Sequence, residues 1–275
     1  MKVSKELHIS DARVERRTPP LRAGDAEGRE RSVQSVAEEK SLKKIYEGKA
    51  KILYEYPGDG NRLITYFKDD ATAFNGQKKG IIMNKGEYNN AISTSLFKLL
   101  KKHGVESHFI EKLSNREMLV NHLKMFPVEF VVRNITAGSL AKKMGVEEGV
   151  KLPSPVVELY FKSDELGDPM INETYVKAFD LGEIKDVEEA KIIALKINEI
   201  LKDFFDKNGL LLVDYKLEFG TLSGKVLLAD EITPDTMRLW DKITLEKVDK
   251  DRFRRDLGGV EEAYKRVYDI TSKII

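Results

Sequence analysis

The chain contains no cysteine. That absence removes disulfides, thiolate nucleophiles and every cysteine-based zinc site at once. Histidine is scarce, with four copies and no close pair, so a zinc enzyme is not expected either. Charge of one sign is not in excess: 47 Lys and Arg stand against 46 Asp and Glu, a formal net charge of +1. A chain without a bulk positive field has little with which to hold a polyanion, so nucleic acid is not an expected partner. No apolar run reaches membrane-spanning length, so no membrane association is expected. The start, Met1-Lys-Val-Ser-Lys-Glu-Leu-His8, is too charged for a secretory signal. A cytoplasmic protein is the plain expectation. No Ser/His/Asp triad stands in a recognisable context.

What is present is a chain of 275 residues, 41% hydrophobic and 34% charged, enough for one large domain or two lobes around a shared core. Residues 1–41 stand apart. They are rich in Arg, Glu, Ser, Gly and Pro, and such a segment buries too little to order itself, so a flexible leader is expected there. Lys44 to Tyr56 reads as strand, glycine turn, strand, and Arg62 to Lys68 as a third strand after the Pro57-Gly-Asp-Gly60 turn. Ala71 to Gly86 reads as irregular, a mobile loop near a ligand. A helix follows with Ile92, Leu96, Leu99 and Leu100 on one stripe, ending near Gly104. Asp186-Val-Glu-Glu189 resembles a capping box. It opens an amphipathic helix whose stripe, from Ala190 through Ile197 and Leu201 to Phe205, belongs in the core, with Asn208-Gly209 closing it. A last helix runs from about Val260. Strands and helices alternate without a βαβ rhythm, so the fold class expected is α+β rather than a doubly wound sheet.

The most informative segment is Leu211-Leu-Val-Asp-Tyr-Lys-Leu-Glu-Phe-Gly220. At period two, Leu211, Val213, Tyr215, Leu217 and Phe219 form one face and Asp214, Lys216 and Glu218 the other. Ionisable groups in a row on an interior strand are costly unless a metal, a phosphate or a polar substrate sits against them. Thr221-Leu-Ser-Gly224 reads as a turn and Lys225 to Ile232 as the returning strand. Directly opposed residues share a face, so Glu218 meets Asp230 only if the loop has an odd number of residues, centred on Ser223 or Gly224. In that register two carboxylates converge as Mg²⁺ ligands. The alternative is a surface strand whose lysine makes weak cross-strand pairs.

Further groups point the same way. Gly48-Lys-Ala-Lys51 sets Lys49 and Lys51 on one strand face, where both can meet phosphates or simply be solvated; the spacing is not that of a Walker A loop. Val128 to Asn134 reads as a strand buried apart from Glu129 and Arg133. It leads to Ser139, which suits the N-cap of a helix, and together with Arg133 this makes an anion cradle; the alternative is an Arg133–Glu129 pair beside a capped helix. Arg238 suits bidentate contact with a carboxylate or phosphate, while Trp240 reads as packing. Lys250 to Arg255 reads as a solvated basic face with one or two pocket members. His8, His103, His108 and His122 lie outside all these clusters. Cations for anions and carboxylates for a metal suit phosphoryl transfer, where catalysis is mainly positioning and charge neutralisation.

Two segments, Phe126-Pro-Val-Glu-Phe-Val-Val-Arg-Asn-Ile-Thr-Ala-Gly-Ser139 and Leu212-Val-Asp-Tyr-Lys-Leu-Glu-Phe-Gly220, resemble the signatures of the phosphoribosylaminoimidazole-succinocarboxamide synthase (SAICAR synthetase) family. Tyr46-Glu-Gly-Lys-Ala-Lys51, Asp69 to Gly76, Asp168-Pro-Met-Ile-Asn-Glu173, Asp230-Glu231 and Pro234 to Lys242 are similar as well, so the likeness runs from about Leu42 to the end. The resemblance implies an α+β fold of two lobes related to ATP-grasp ligases: a nucleotide-binding lobe over 42–125 and a substrate and metal lobe over 126–275. It implies an ATP- and Mg²⁺-dependent ligase, a homodimer, that joins carboxyaminoimidazole ribonucleotide to L-aspartate through an acyl phosphate. Lys49, Ala50 and Lys51 would face the nucleotide. Glu218 and Asp230 would hold metal and nucleotide. Arg133, Ser139, Lys216 and Arg238 would grip the ribonucleotide, and Asp214 would orient Lys216 or touch substrate. Position 75 is Asn where some members carry Asp, so no charge-dependent role is carried over to it. Two other readings stay open: a nucleotide-binding module without turnover, and a ligase for another amino acid.

Overall fold

A computed structural model describes residues 42–73 and 76–274; the leader expected over 1–41 and Asn75 lie outside the described residues. Two antiparallel sheets organise the rest. The first contains β1 (Lys44–Glu47), β2 (Lys51–Glu55), β3 (Arg62–Phe67), β6 (Phe109–Lys112) and β7 (Glu117–Asn121), in the order β1-β2-β3-β7-β6. The second contains β8 (Lys124–Ile135), β9 (Lys151–Phe161), β10 (Met170–Ile171), β11 (Leu210–Leu222), β12 (Lys225–Ala229) and β13 (Met237–Asp241). Its order is β10-β9-β8-β11-β12, with β13 also pairing β11. Every pair of named strands is antiparallel, as an α+β fold requires.

The described residues also contain six α-helices, α1 (Lys85–Lys102), α2 (Gly138–Met144), α3 (Glu173–Ala178), α4 (Ile184–Lys207), α5 (Asp251–Arg254) and α6 (Val260–Thr271), and a short 3₁₀ helix, Asp164–Leu166. The stripe expected on α4 is the one buried: Ala190, Ala194, Ile197, Leu201 and Phe205 recur at helical spacing and face the second sheet. Each large side chain buried this way contributes roughly 1.5–3 kcal/mol. Two polar contacts fix the helix on the sheet. Tyr215 donates to the Ala194 carbonyl at 2.9 Å, and buried Asn134 and Asn198 exchange amide hydrogen bonds at 2.8 and 2.9 Å. Helices α1 and α6 pack together, with the Tyr88 and Tyr268 rings 5.4 Å apart. Among the described residues, no helix is long and apolar enough to cross a membrane.

The structure departs from sequence-based expectation in several places. A β-bulge against β13 between Leu212 and Asp214 changes the phase of β11. Leu210 and Leu212 therefore join Tyr215, Leu217 and Phe219 in the main core, while Leu211 and Val213 pack with Trp240 in a separate cluster. Ala71 to Gly86 is not an irregular loop. It contains a hairpin of β4 (Asp70–Ala73) and β5 (Lys78–Ile81), held down because Ala71 and Ile82 pack on Tyr264. The helix after β8 is capped by the extended residue Ala137, so Ser139 lies inside its first turn and is not the N-cap. Likewise α4 starts at Ile184, which puts Asp186 inside the helix, where its charge favours the N-terminal dipole rather than capping it.

Candidate active site

A cavity of about 880 Å³ opens between the β1–β2 turn, β8, β11, residues 162–168 and the segments after β12 and β13. The inner face of β11 supplies Asp214, Lys216 and Glu218 in the alternation expected of a strand. The returning strand does not follow the expected register. Leu222 pairs with Lys225, so the turn is the two residues Ser223-Gly224, and Glu218 faces Ala229. Strict alternation would turn Asp230 away. Asp230 instead follows the end of β12 with φ of 59°, a left-handed conformation that Asp tolerates better than most residues. That local turn, rather than an odd loop, brings its carboxylate into the cavity.

At this end of the cavity lysines and carboxylates alternate. Lys51, the first residue of β2, pairs with Asp230 and, at 2.9 Å, with Glu231. Glu218 bridges Lys162 and Lys216, the latter at 3.1 Å, and Lys216 also reaches Glu129 at 2.8 Å. Burial works against charge at Lys51, but the Asp230 and Glu231 carboxylates outweigh it and hold the ammonium above its ordinary pKa. Burial likewise opposes charge at Lys216, and Glu218 and Glu129 outweigh it. Asp230 is the mirror case: burial favours its neutral form, yet Lys51 and Lys216 hold it ionised, below the usual carboxylate range. Lys49 and Ala50 line the same cavity from the β1–β2 turn, with Lys49 exposed and 2.7 Å from Asp164.

The other end is built on arginine. Arg133 is buried at 4% exposure, contrary to the expectation that it escapes burial, and it does not pair with Glu129. Its guanidinium donates to Glu158 at 2.6 Å, Asp214 at 2.8 Å, the Ser139 hydroxyl at 3.1 Å and the Tyr160 hydroxyl at 3.3 Å. Asp214 takes a second guanidinium from Arg238 at 2.8 Å, and Arg238 also donates to Asp251 at 2.9 Å. Asp214 thus bridges two arginines, and its hydrogen bonds do not go to Lys216. Gly138 makes room for this arrangement: its φ is 53°, and a Cβ there would stand 2.7 Å from Arg238. Ser139 opens onto a side cavity of about 380 Å³ with Lys143, Tyr160 and Asp168, which shares Arg133 with the main one.

Several site residues escaped the sequence reading. His108 is buried in the cavity wall, with Nε2 3.1 Å from the Asp230 carbonyl oxygen. Burial pushes its pKa down to about 4, so near neutral pH the ring is uncharged and Nε2–H donates. Nothing near His108 in the sequence signals this. Lys162 and Glu158 lie on or just after β9, whose run carries no motif. Asp235 was visible only as part of Pro234 to Lys242. Its carboxylate accepts from Lys85 at 2.6 Å, Asn89 at 2.9 Å and Tyr264 at 2.7 Å.

The donors at the lysine-rich end are carboxylate oxygens, the ligands preferred by hard divalent cations. Among the described residues, no group of three His, Cys, Asp or Glu stands at metal-binding spacing. Cations and carboxylates gathered in one cleft match the chemistry expected of an ATP-dependent ligase. Known proteins agree. A SAICAR synthetase family model matches residues 44–271. This chain belongs to the SAICAR synthetase family. A phosphoribosylaminoimidazole-succinocarboxamide synthase of Desulfitobacterium hafniense (strain Y51) is 56% identical over 231 residues, covering 84% of this chain and 97% of that one. The enzyme of Clostridium acetobutylicum is 51% identical over 230 residues, 83% of this chain and 97% of its own. The crystal structure of the Ehrlichia chaffeensis enzyme superposes with a TM-score of 0.81 at 44% identity, covering 85% of this chain and all of that one. A SAICAR synthetase in complex with ADP superposes with a TM-score of 0.80 at 49% identity, covering 82% of this chain and 97% of its own. SAICAR synthetases are ligases of purine biosynthesis that use ATP to join L-aspartate to carboxyaminoimidazole ribonucleotide, and this chain is such a ligase.

Proposed function

We propose that this ligation runs through an acyl phosphate formed in the cavity on β11. A carboxylate of the ribonucleotide attacks the γ-phosphorus of ATP, and the bond to the bridging oxygen of ADP breaks. The amine of L-aspartate then attacks the carbonyl carbon, the carbon–oxygen bond to phosphate breaks, and the amine gives up its proton. The difficulty in the first step is repulsion between two anions. Lys51, with Lys49 and the backbone of Ala50, takes the nucleotide phosphates. Lys216 lies between the two ends, beside Glu218, and faces the reacting carboxylate. Arg238, Arg133 and Ser139 hold the ribonucleotide phosphate at the other end, with Asp214 fixing the two guanidinium planes relative to each other. Glu218 and Asp230 are the residues that would hold Mg²⁺, since both offer hard oxygen donors in the cavity. When bound there, Mg²⁺ would neutralise phosphate charge. The lysines that pair these carboxylates are then free to turn toward the phosphates.

The observation that carries this reading is that Asp214, Lys216 and Glu218 on one strand line one cavity with Lys51, Asp230 and Arg238, which come from distant segments. The family resemblance adds a nucleotide role for residues 42–125, a substrate role for 126–275, and a cytoplasmic homodimer. The homologue that binds ADP supports nucleotide binding here. The direct test is ADP release with ATP, Mg²⁺ and the ribonucleotide, with and without L-aspartate. Release that depends on L-aspartate, and on no other amino acid in a panel, is expected. Release that ignores aspartate, or none at all, would favour a module without turnover or a ligase for another amine.

A further inference from the structure

Asp230 owes its place in the cavity to one backbone conformation. It follows β12 with φ of 59°, a region that non-glycine residues enter rarely and keep only when their surroundings hold them there. Its carboxylate is held by Lys51. Its main chain has a second restraint. The Asp230 carbonyl oxygen lies 3.1 Å from Nε2 of His108. A carbonyl oxygen only accepts, so Nε2 carries the hydrogen of this bond.

His108 is itself fixed from several sides. It is 7% exposed. Its backbone N–H donates to the Leu228 carbonyl at 2.8 Å, and its own carbonyl accepts from the Asn121 N–H at 2.8 Å. One residue is thereby tied to β12 and to β7, a strand of each large sheet. The Phe97 ring of α1 meets the imidazole edge to face, with centroids 5.5 Å apart. The Leu228 N–H also donates to Glu106 at 3.3 Å, so the segment that leads to His108 runs beside the end of β12. The imidazole is anchored where the chain turns at Asp230. The proposed reaction uses no atom of His108.

We propose that His108 is a positioning residue: its Nε2–H grips the Asp230 carbonyl, fixes the left-handed turn and so aims the carboxylate into the cavity. The proposal rests on the reading of Asp230 as a residue for Mg²⁺ and nucleotide. Outer partners that orient metal-holding side chains act in the same way, through geometry rather than contact with the ligand. Without the donor, a buried carbonyl is left unsatisfied and the backbone is free to turn at that residue. His108 also lines the cavity, so direct contact with a ligand is the competing account.

The test is a double-mutant cycle: His108→Phe and His108→Gln, each in wild type and in Asp230→Asn, with kcat and melting temperature measured for all. Phe keeps a buried ring and removes the donor, whereas Gln keeps an N–H donor. In wild type, His108→Phe is expected to lower kcat about tenfold or more, and His108→Gln to recover most of that loss. In Asp230→Asn the carboxylate is already gone, so His108→Phe should change kcat by less than about twofold. The melting temperature should fall by the same amount in both backgrounds. Calorimetry of ADP binding at rising Mg²⁺ gives a readout without turnover: His108→Phe should need about fivefold more Mg²⁺ or beyond for half of the full tightening. An equal loss of kcat in both backgrounds overturns the proposal, because His108 then acts on a ligand or on the fold and not through Asp230. A wild-type rate in folded His108→Phe overturns it as well. If His108→Phe does not fold, ¹⁵N spectra of histidine-labelled wild type decide. The His108 signals, assigned by their absence in His108→Gln, should show the hydrogen on Nε2, and a bare Nε2 overturns the proposal. A near-wild-type rate in Asp230→Asn removes the underlying reading and this one with it; a low rate there beside a normal rate in His108→Phe removes only the role of His108.

Discussion

Glu218→Gln and Asp230→Asn are each expected to lower kcat by about two to three orders of magnitude, a barrier increase of roughly 3–4 kcal/mol. Each substitution keeps the side-chain shape and removes one negative charge from the lysine-rich end of the cavity. In the proposed reaction that charge does two jobs: it supplies a hard oxygen donor for Mg²⁺, and it sets where Lys51, Lys162 and Lys216 stand. The stability cost should be modest, because no lysine is stranded. Lys216 keeps Glu129, Lys51 keeps Glu231, and the Lys162 side chain is 34% exposed and can turn to water. Asn also accepts the left-handed backbone that Asp230 adopts, so Asp230→Asn adds no backbone strain. Parallel kcat measurements and thermal melts check this. A near-wild-type rate in either folded variant would remove that residue from the metal site.

Lys85→Met should show the opposite pattern, a large loss of stability. Lys85 is 0% exposed and its ammonium lies 2.6 Å from Asp235. Met conserves the volume but leaves Asp235, 4% exposed, without its short cationic partner. Burial opposes the charge of Asp235, and Lys85 leads the groups that hold it below the usual carboxylate range. Removing one partner of a buried pair costs about 3–5 kcal/mol, which for a chain of this size lowers the melting temperature on the order of 10 °C. The double variant Lys85→Met/Asp235→Asn should recover part of the loss, since both charges of the short pair go together and only Lys250, 3.6 Å from Asp235 and 13% exposed, loses a distant partner. Equal melting temperatures for wild type and Lys85→Met would show that Tyr264, Asn89 and Lys250 suffice. Lys250 meets the same carboxylate only at 3.6 Å, so Lys85 is its principal cation.

Much of this architecture was legible in the sequence. The stripe of α4 has a period the chain cannot hide, and β11 announces its polar face by alternation. The residues expected at the site, from Lys49 to Arg238, stand on the walls of the main cavity or, for Ser139, its side cavity. What the sequence did not reveal depends on contacts between distant residues. Whether Arg133 pairs with Glu129, four residues away, or with Glu158 and Asp214 is decided by the register of β8 against β9 and β11. The bulge at Leu212 and the turn of the backbone at Asp230 are local events with no residue signature, and each overturned a strict period-two reading. His108 reaches Asp230 across 122 positions. Nothing in the sequence singles out Lys85, because its partner is 150 residues away.

The acyl phosphate is tested most directly by following oxygen. Carboxyaminoimidazole ribonucleotide carrying ¹⁸O in its carboxylate is turned over with ATP, Mg²⁺ and L-aspartate, and the inorganic phosphate is analysed by mass. One carboxylate oxygen is predicted to leave with each phosphate, because that oxygen becomes the bridge to phosphorus and departs when the amine attacks carbon. Phosphate free of label, with product formed at the normal rate, would contradict the proposed reaction.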